Sequence, residues 1–192
     1  MRIANDRNSV INETFTIKPV TDFSVFTGFS CLGSSETDRD LEDFIRNDAE
    51  RHSLDRIAVT YALFQNDIPE PLGFATLQND AILVAKENSS SEDFEFISQY
   101  PYKWFPAVKI GRLGIELKYQ RQKLGSVFLG MLIFLMLSEN RTGCRFLTVD
   151  ARRNKKDNID VTNFYKVNGF RTLPFREKTS SYIPMYLDLC KQ

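Results

Sequence analysis

The run from Val127 to Leu137 is apolar throughout except for Gly130. It is too short to cross a bilayer, and as a helix it has no polar side to turn toward water. The run therefore predicts a buried helix over 126–139. A chain of 192 residues can bury it within one domain of ordinary size and is short for two. Hydrophobic residues make up 42% and charged residues 26%, which excludes wholesale disorder.

Charge and cysteine usage narrow the class. Lys plus Arg and Asp plus Glu each number 25, so the net charge is zero and a generally basic nucleic-acid coat is excluded. A local basic patch stays open. The three cysteines, Cys31, Cys144 and Cys190, are far apart and form no C-x-x-C. That excludes a disulfide scaffold and a Cys-rich zinc site, and points to a reducing compartment. The single histidine, His52, argues against His-based metal sites and triads. Met1 to Asp6 has no apolar core and does not resemble a secretory signal. The protein is expected to be soluble and cytoplasmic, without a membrane segment and without a metal.

Periodicity orders the elements. Residues 1–13 are polar and predicted to be a flexible N-terminus, with the domain proper spanning 14–192. Strands are predicted at 14–20, 57–64, 72–77, 107–117, 145–151, 170–173 and 182–189. A first helix is predicted over 34–53, with Leu41, Phe44, Ile45 and Ala49 on its inner face, an acidic outer face and Thr37 with Asp40 as a capping pair. A second helix covers 126–139 and a third 158–168, with Gly169 as its stop signal. The order is β, α, a run of β, then βαβαββ. Trp104 lies between Pro101 and Pro106 and is predicted to be a core or surface anchor.

Two constellations carry chemistry. Between a predicted strand and the apolar helix lies Lys118-Tyr119-Gln120-Arg121-Gln122-Lys123-Leu124-Gly125-Ser126. The first amides of a helix have no internal partner, and the helix dipole adds positive charge. Gly125 allows close approach, and Arg121 and Lys123 add full charges. Six basic residues and one acid, Glu116, lie between Lys103 and Lys123. This composes an anion site suited to a diphosphate; an ordinary turn with solvated charges is the alternative. The second constellation is Asn158, Val161, Phe164, Tyr165, Gly169 and Phe170. A phenol on this helix would be able to donate a proton, and Asn158 to cap the helix or hold a ligand amide. A core role for both aromatic rings is the alternative.

Taken in order, these motifs resemble the GNAT N-acetyltransferase superfamily. Gln120 to Gly125 resembles the family loop Gln/Arg-x-x-Gly-x-Gly/Ala at Gln120 and Gly125, with Lys123 where the first glycine is usual. Arg112-Leu113-Gly114-Ile115 is similar to the strand motif Arg-Leu-Ala-Val. Asn158-x-x-Val161-x-x-Phe164-Tyr165-x-x-x-Gly169-Phe170 is similar to Asn-x-x-Ala-x-x-x-Tyr-x-x-x-Gly-Phe. The resemblance implies acetyl-CoA as co-substrate. Its pantetheine would lie along Leu113, Gly114 and Ile115, and its pyrophosphate on Arg121, Gln122, Lys123, Leu124, Gly125 and Ser126. Tyr165 would protonate the leaving thiolate, and an amide near Ile115 would steady the oxyanion. Glu116 is the candidate general base, with a solvated strand-end charge as the alternative.

The implied fold is a single α/β (α+β) domain with a mixed, mainly antiparallel sheet and helices on both faces. The implied reaction is acetyl transfer from acetyl-CoA to a primary amine. Phe29-Ser30-Cys31 with Leu41 to Ile45 and Ala49 resembles the start of the toxin-type GNATs, which acetylate aminoacyl-tRNA and pair with a small antitoxin. Arg152-Arg153-Asn154-Lys155-Lys156 would meet RNA in that reading and is otherwise a solvated loop. Zero net charge and the acidic first helix weigh toward a small or protein amine. A tRNA acceptor, a non-catalytic acyl-CoA-binding module and a homodimer stay open.

Overall fold

A computed structural model of the chain describes residues 1–3, 9–31, 36–66, 68–84, 94–140, 142–154, 159–174 and 181–192. Two compact units make it up, Met1–Gln78 with Ile110–Arg141, and Asn79–Lys109 with Thr142–Gln192. In the first unit, β1 (Arg2–Ile3), β2 (Val10–Ile11), β3 (Phe15–Pro19), β4 (Val59–Gln65) and the start of β5 (Pro71–Leu83) pair in chain order, each antiparallel to the last. The end of β6 (Trp104–Ile115) runs beside β5 in the opposite sense. Its Arg112 amide donates to Thr76 Oγ1 at 3.0 Å, and the amide of Glu116 donates to the carbonyl of Leu72 at 2.8 Å. Among the first thirteen residues, Val10 and Ile11 pair with Ile17 and Thr16, and Val10 is fully buried.

Both faces of these strands are apolar, and five consecutive residues of β4 are buried. Val10, Ile17 and Leu63 are register partners and share one face; Ala62 and Phe74 share the other. On the second face lie Phe26, Phe29, Phe44, Ile45 and Ala49. Three of these are the inner-face residues predicted for the first helix. That helix is described as α1 (Glu36–Asp43), a π-helical turn over Phe44–Asp48, and α2 (Ala49–Leu54). The Ala49 amide donates to the carbonyl of Phe44, five residues back, so the turn holds one residue more than α geometry allows. Thr37 lies inside α1 rather than at its cap. The helix α3 (Leu124–Ser138) packs on β2 and β3, where the Val10–Ile17–Leu63 face is open to it. Phe128, Leu129 and Leu132 are fully buried, each worth about 1.5–3 kcal/mol of burial. No described helix is long and apolar enough to cross a membrane.

In the second unit the start of β6 pairs with β7 (Phe146–Asn154), and this ladder is parallel. It has three pairs, from Ala107 with Phe146 to Lys109 with Thr148. β7 is antiparallel to β10 (Tyr182–Asp188) along its length, and β10 to β9 (Arg171–Thr172). β8 (Ile159–Asp160) pairs with the end of β7 and leads into α4 (Thr162–Val167), which contacts β7. The sheet pairing is thus mixed and mainly antiparallel, as predicted. Phe94, Ile97, Phe105, Phe146 and Tyr186 form the core of this unit. Trp104 opens β6 with its side chain 60% exposed, so it is not part of the core.

The glycines of β5 and β6 are held by packing. A Cβ on Gly73 would lie 2.7 Å from the carbonyl oxygen of Gly114, and one on Gly114 would lie 2.8 Å from the Phe74 ring. Gly130, inside α3, has open space. Gly73→Ala is therefore expected to lose at least about 2 kcal/mol by overpacking against backbone. Gly130→Ala should gain about 0.5–1 kcal/mol through helix propensity. Urea unfolding of the two variants reads both signs, and equal midpoints would refute the close strand approach.

Candidate functional site

The polar segment 116–126 is built as a strand end, a one-turn helix and a twisted loop. β6 stops at Ile115, Leu117–Tyr119 form a 3-10 turn, and α3 starts at Leu124. The side-chain amide of Gln120 donates to the Ile115 carbonyl at 3.0 Å and fastens the loop to the strand. That of Gln122 donates to the Lys118 carbonyl at 3.1 Å. Buried Leu124 anchors the helix start, whereas Lys118, Arg121, Gln122 and Lys123 are exposed.

Arg121 and Lys123 have φ of 61° and 63°, in the left-handed region. Successive amides in such a backbone converge on a concave surface that binds anions. The Lys123 carbonyl accepts the amides of Ser126 and Val127, so the amides of Leu124 and Gly125 precede the first intrahelical bonds. Three exposed cations and this backbone fit a diphosphate. Lys123 replaces a glycine of the family pattern, yet the backbone keeps the conformation glycine favours. The side chain turns outward and adds charge, at a cost of about 1–2 kcal/mol for a left-handed L-residue.

Glu116, the candidate base, is tied into the fold through one carboxylate oxygen. Its Oε2 accepts the Ser30 amide at 2.8 Å, and the Leu117 amide donates to the Ser30 carbonyl at 2.8 Å. The Ser30 hydroxyl donates to Glu42 Oε2, also at 2.8 Å, while Glu42 Oε1 pairs with Arg46 at 2.7 Å. Arg46 in turn donates to the Phe29 carbonyl at 3.0 Å. Glu116 thus fastens Ser30 to the end of β6, and Glu42 with Arg46 fastens Phe29–Ser30 to the first helix. The (i, i+4) spacing of Glu42 and Arg46 was visible in the sequence. Ser30, 86 residues from Glu116, gave no such signal.

Tyr165 belongs to the second unit. It lies on α4, 7% exposed, between the rings of Phe164 at 5.0 Å and Phe170 at 5.4 Å. Burial pushes its phenol well above the usual range, so the group stays protonated. It is the state an acid needs. Asp160 caps α4, accepting the Thr162 amide at 2.9 Å and its hydroxyl. These bonds hold the Asp160 carboxyl below the usual carboxylate range. Asn158, a candidate for this cap, lies outside the described residues, as do Lys155 and Lys156. Gly169 closes the helix with φ of 91°, as its place in the sequence predicts. The minor candidates behave as packing residues. The His52 ring meets Phe44 edge-on at 5.2 Å, and burial raises the Cys144 thiol. Leu113 to Ser126 thus lie together in the first unit, and Tyr165 lies on α4 of the second.

No protein-family model matches the chain, and no curated protein matches it. Solved structures do. AtaT complexed with acetyl-methionyl-tRNAfMet matches with a TM-score of 0.68 at 22% identity, over 92% of this chain and 96% of that one. A tyrosine-to-phenylalanine mutant of KacT matches with a TM-score of 0.69 at 22% identity, over 93% and 97%. A mutant AtaT toxin bound to the C-terminus of the antitoxin AtaR and acetyl-CoA matches with a TM-score of 0.65 at 23% identity, over 92% and 94%. At these identities the likeness shows the fold. It is the GNAT fold, in the form shared with the AtaT and KacT toxins.

The left-handed turn gives a direct test. Lys123→Gly relieves about 1–2 kcal/mol of steric cost and adds about 0.5–1 kcal/mol of chain entropy. Its unfolding midpoint is expected at or above that of the native chain, whereas Lys123→Val should fall below it. A destabilised glycine variant would mean that position 123 is not left-handed.

Proposed function

We propose that this chain transfers the acetyl group of acetyl-CoA to the α-amino group of an aminoacyl-tRNA, with Tyr165 as general acid, and that a small antitoxin protein is its partner. The observation that carries this reading is the fold match over more than nine-tenths of both chains to AtaT in a structure that holds acetyl-methionyl-tRNA. Neighbouring structures with acetyl-CoA and with the AtaR C-terminus support the co-substrate and the partner. Tyrosine-to-phenylalanine mutants of both AtaT and KacT are among the neighbours, which supports a tyrosine in the chemistry.

Two features of this chain favour the aminoacyl acceptor over a generic amine. The first is the engagement of Glu116 with Ser30. With Glu116 so engaged, the acceptor must bring an appreciable neutral fraction of its own near pH 7.5. An α-amine with a pKa of about 7.7–8.0 is roughly a quarter to two-fifths neutral there, and a lysine amine at about 10.4 roughly a thousandth. The second is the distribution of charge. From Ile110 onward the sequence holds 15 Lys and Arg against 7 Asp and Glu, and before it 10 against 18. Zero net charge hides a basic C-terminal half, so the argument from charge against tRNA falls away.

The residues divide the work. Arg121 to Ser126 hold the diphosphate with amides and cations, and the edge of Leu113 to Ile115 aligns the pantetheine arm. The acceptor nitrogen attacks the thioester carbonyl, and the amide near Ile115 donates to the developing oxyanion. As the carbon–sulfur bond breaks, the Tyr165 hydroxyl gives its proton to the sulfur. The proton released by the acylated nitrogen returns to the phenolate through solvent. A thiol of pKa about 8.5 is already a tolerable leaving group, so this proton supplies on the order of 10²-fold.

Incubation with labelled acetyl-CoA and methionyl-tRNA should place label on the charged tRNA and none on the uncharged one. Label on free amines alone would return the acceptor to a small molecule, and no transfer at all would leave a binding module. Tyr165→Phe should lower kcat by about 10² with CoA affinity unchanged. The kcat/KM profile of the native enzyme should rise through the amine pKa and stay level beyond it, because burial keeps the phenol protonated there. A falling limb between pH 8 and 9.5 that vanishes in Tyr165→Phe would reverse that assignment. Gly125→Glu should weaken CoA binding at least about tenfold, roughly 1.4 kcal/mol, by calorimetry. Undiminished binding in a folded variant would move the diphosphate elsewhere.

A further inference from the structure

Arg112 has donor capacity that the first unit does not use. It precedes Leu113 on β6, and its guanidinium carbon stands 3.8 Å from the centre of the Phe44 ring. Its Nε is buried and has no hydrogen-bond partner among the described residues. The carboxylate facing it, Asp40 Oδ2, is 3.8 Å from Nε, beyond hydrogen-bond reach, on a side chain 62% exposed. The Arg112 side chain itself is 31% exposed. The backbone beneath it is fixed by the bond to Thr76 Oγ1. Phe44 is the first residue of the π-helical turn, a distortion that recurs at functional sites.

A structural role accounts for the ring contact and leaves the rest unexplained. A planar fork of five donors, stacked on an aromatic face and paired only loosely, is poised for an oxyanion. It lies three residues before Ile115, about 10 Å along an extended strand. An acceptor amine delivered near Ile115 would carry its first phosphate one aminoacyl-ribose length away, in the range of this side chain. We infer that Arg112 is a specificity-determining residue that binds the terminal phosphodiester of the acceptor RNA, with Asp40 as the placeholder that it leaves on binding. This rests on the reading of aminoacyl-tRNA as acceptor.

The test compares two acceptors that share the amine and differ in the phosphate: methionyl-tRNA and methionine amide. Arg112→Gln should lower kcat/KM for methionyl-tRNA at least tenfold more than for methionine amide, mostly through KM, with CoA binding by calorimetry within twofold of native. Arg112→Lys keeps the charge without the fork and should recover only part of the difference. If the Gln variant fails to fold, the Lys variant reads the same difference. Equal losses with both acceptors, or none with methionyl-tRNA, would overturn the inference while leaving the acceptor reading intact. A native enzyme that acetylates methionine amide and not methionyl-tRNA would overturn the acceptor reading and this inference with it.

Discussion

The close approach of β5 to β6 at Gly73 and Gly114 is the constraint on which the first unit depends. With no Cβ on either residue, the two backbones and the Phe74 ring share a space that a methyl group would fill. That places the end of β6 over the aromatic cluster beneath α1 and α2. Only then does Glu116 reach the Ser30 amide and Gln120 reach back to Ile115. The loop that follows inherits its position from this contact. The residues proposed to meet the co-substrate are held by this strand contact together with the side-chain amides of Gln120 and Gln122.

The chemistry of the site follows from a division between what is held and what is left exposed. Carboxylates that look catalytic in isolation are consumed in fastening the Phe29–Ser30 segment. The phenol of Tyr165, by contrast, is shielded in an aromatic setting that favours its neutral form. A shielded phenol beside engaged carboxylates is what the proposed transfer to an already reactive amine would call for. The separation of charge along the sequence works in the same direction, because a basic half can meet RNA while the acidic half keeps the whole chain neutral.

Much of this was readable from residue order. The apolar stretch 127–137 demanded a buried helix and became α3. Leu41, Phe44, Ile45 and Ala49 fell on an inner face as their spacing required, and Gly169 ended its helix. Three things were not readable. Val10 and Ile11 form too short an apolar pair for any periodic signal, yet they take their place in the ladder beside Ile17 and Thr16. Glu116 has the composition of a base, and only a contact across 86 residues reveals its engagement. Lys123 has the wrong identity for a left-handed turn, and a loop closed by its neighbours forces it there.

The π-helical turn at Phe44 to Asp48 has a consequence for how this chain can change over time. Closing the turn into regular α geometry with all its residues kept would rotate everything on one side of it by about 100° relative to the other. Phe44 and Ala49 would then no longer face the same core. The helix would become locally more regular while its buried stripe broke in two. Substitutions can accumulate on its outer surface, but the wide turn is held by the aromatic cluster it covers.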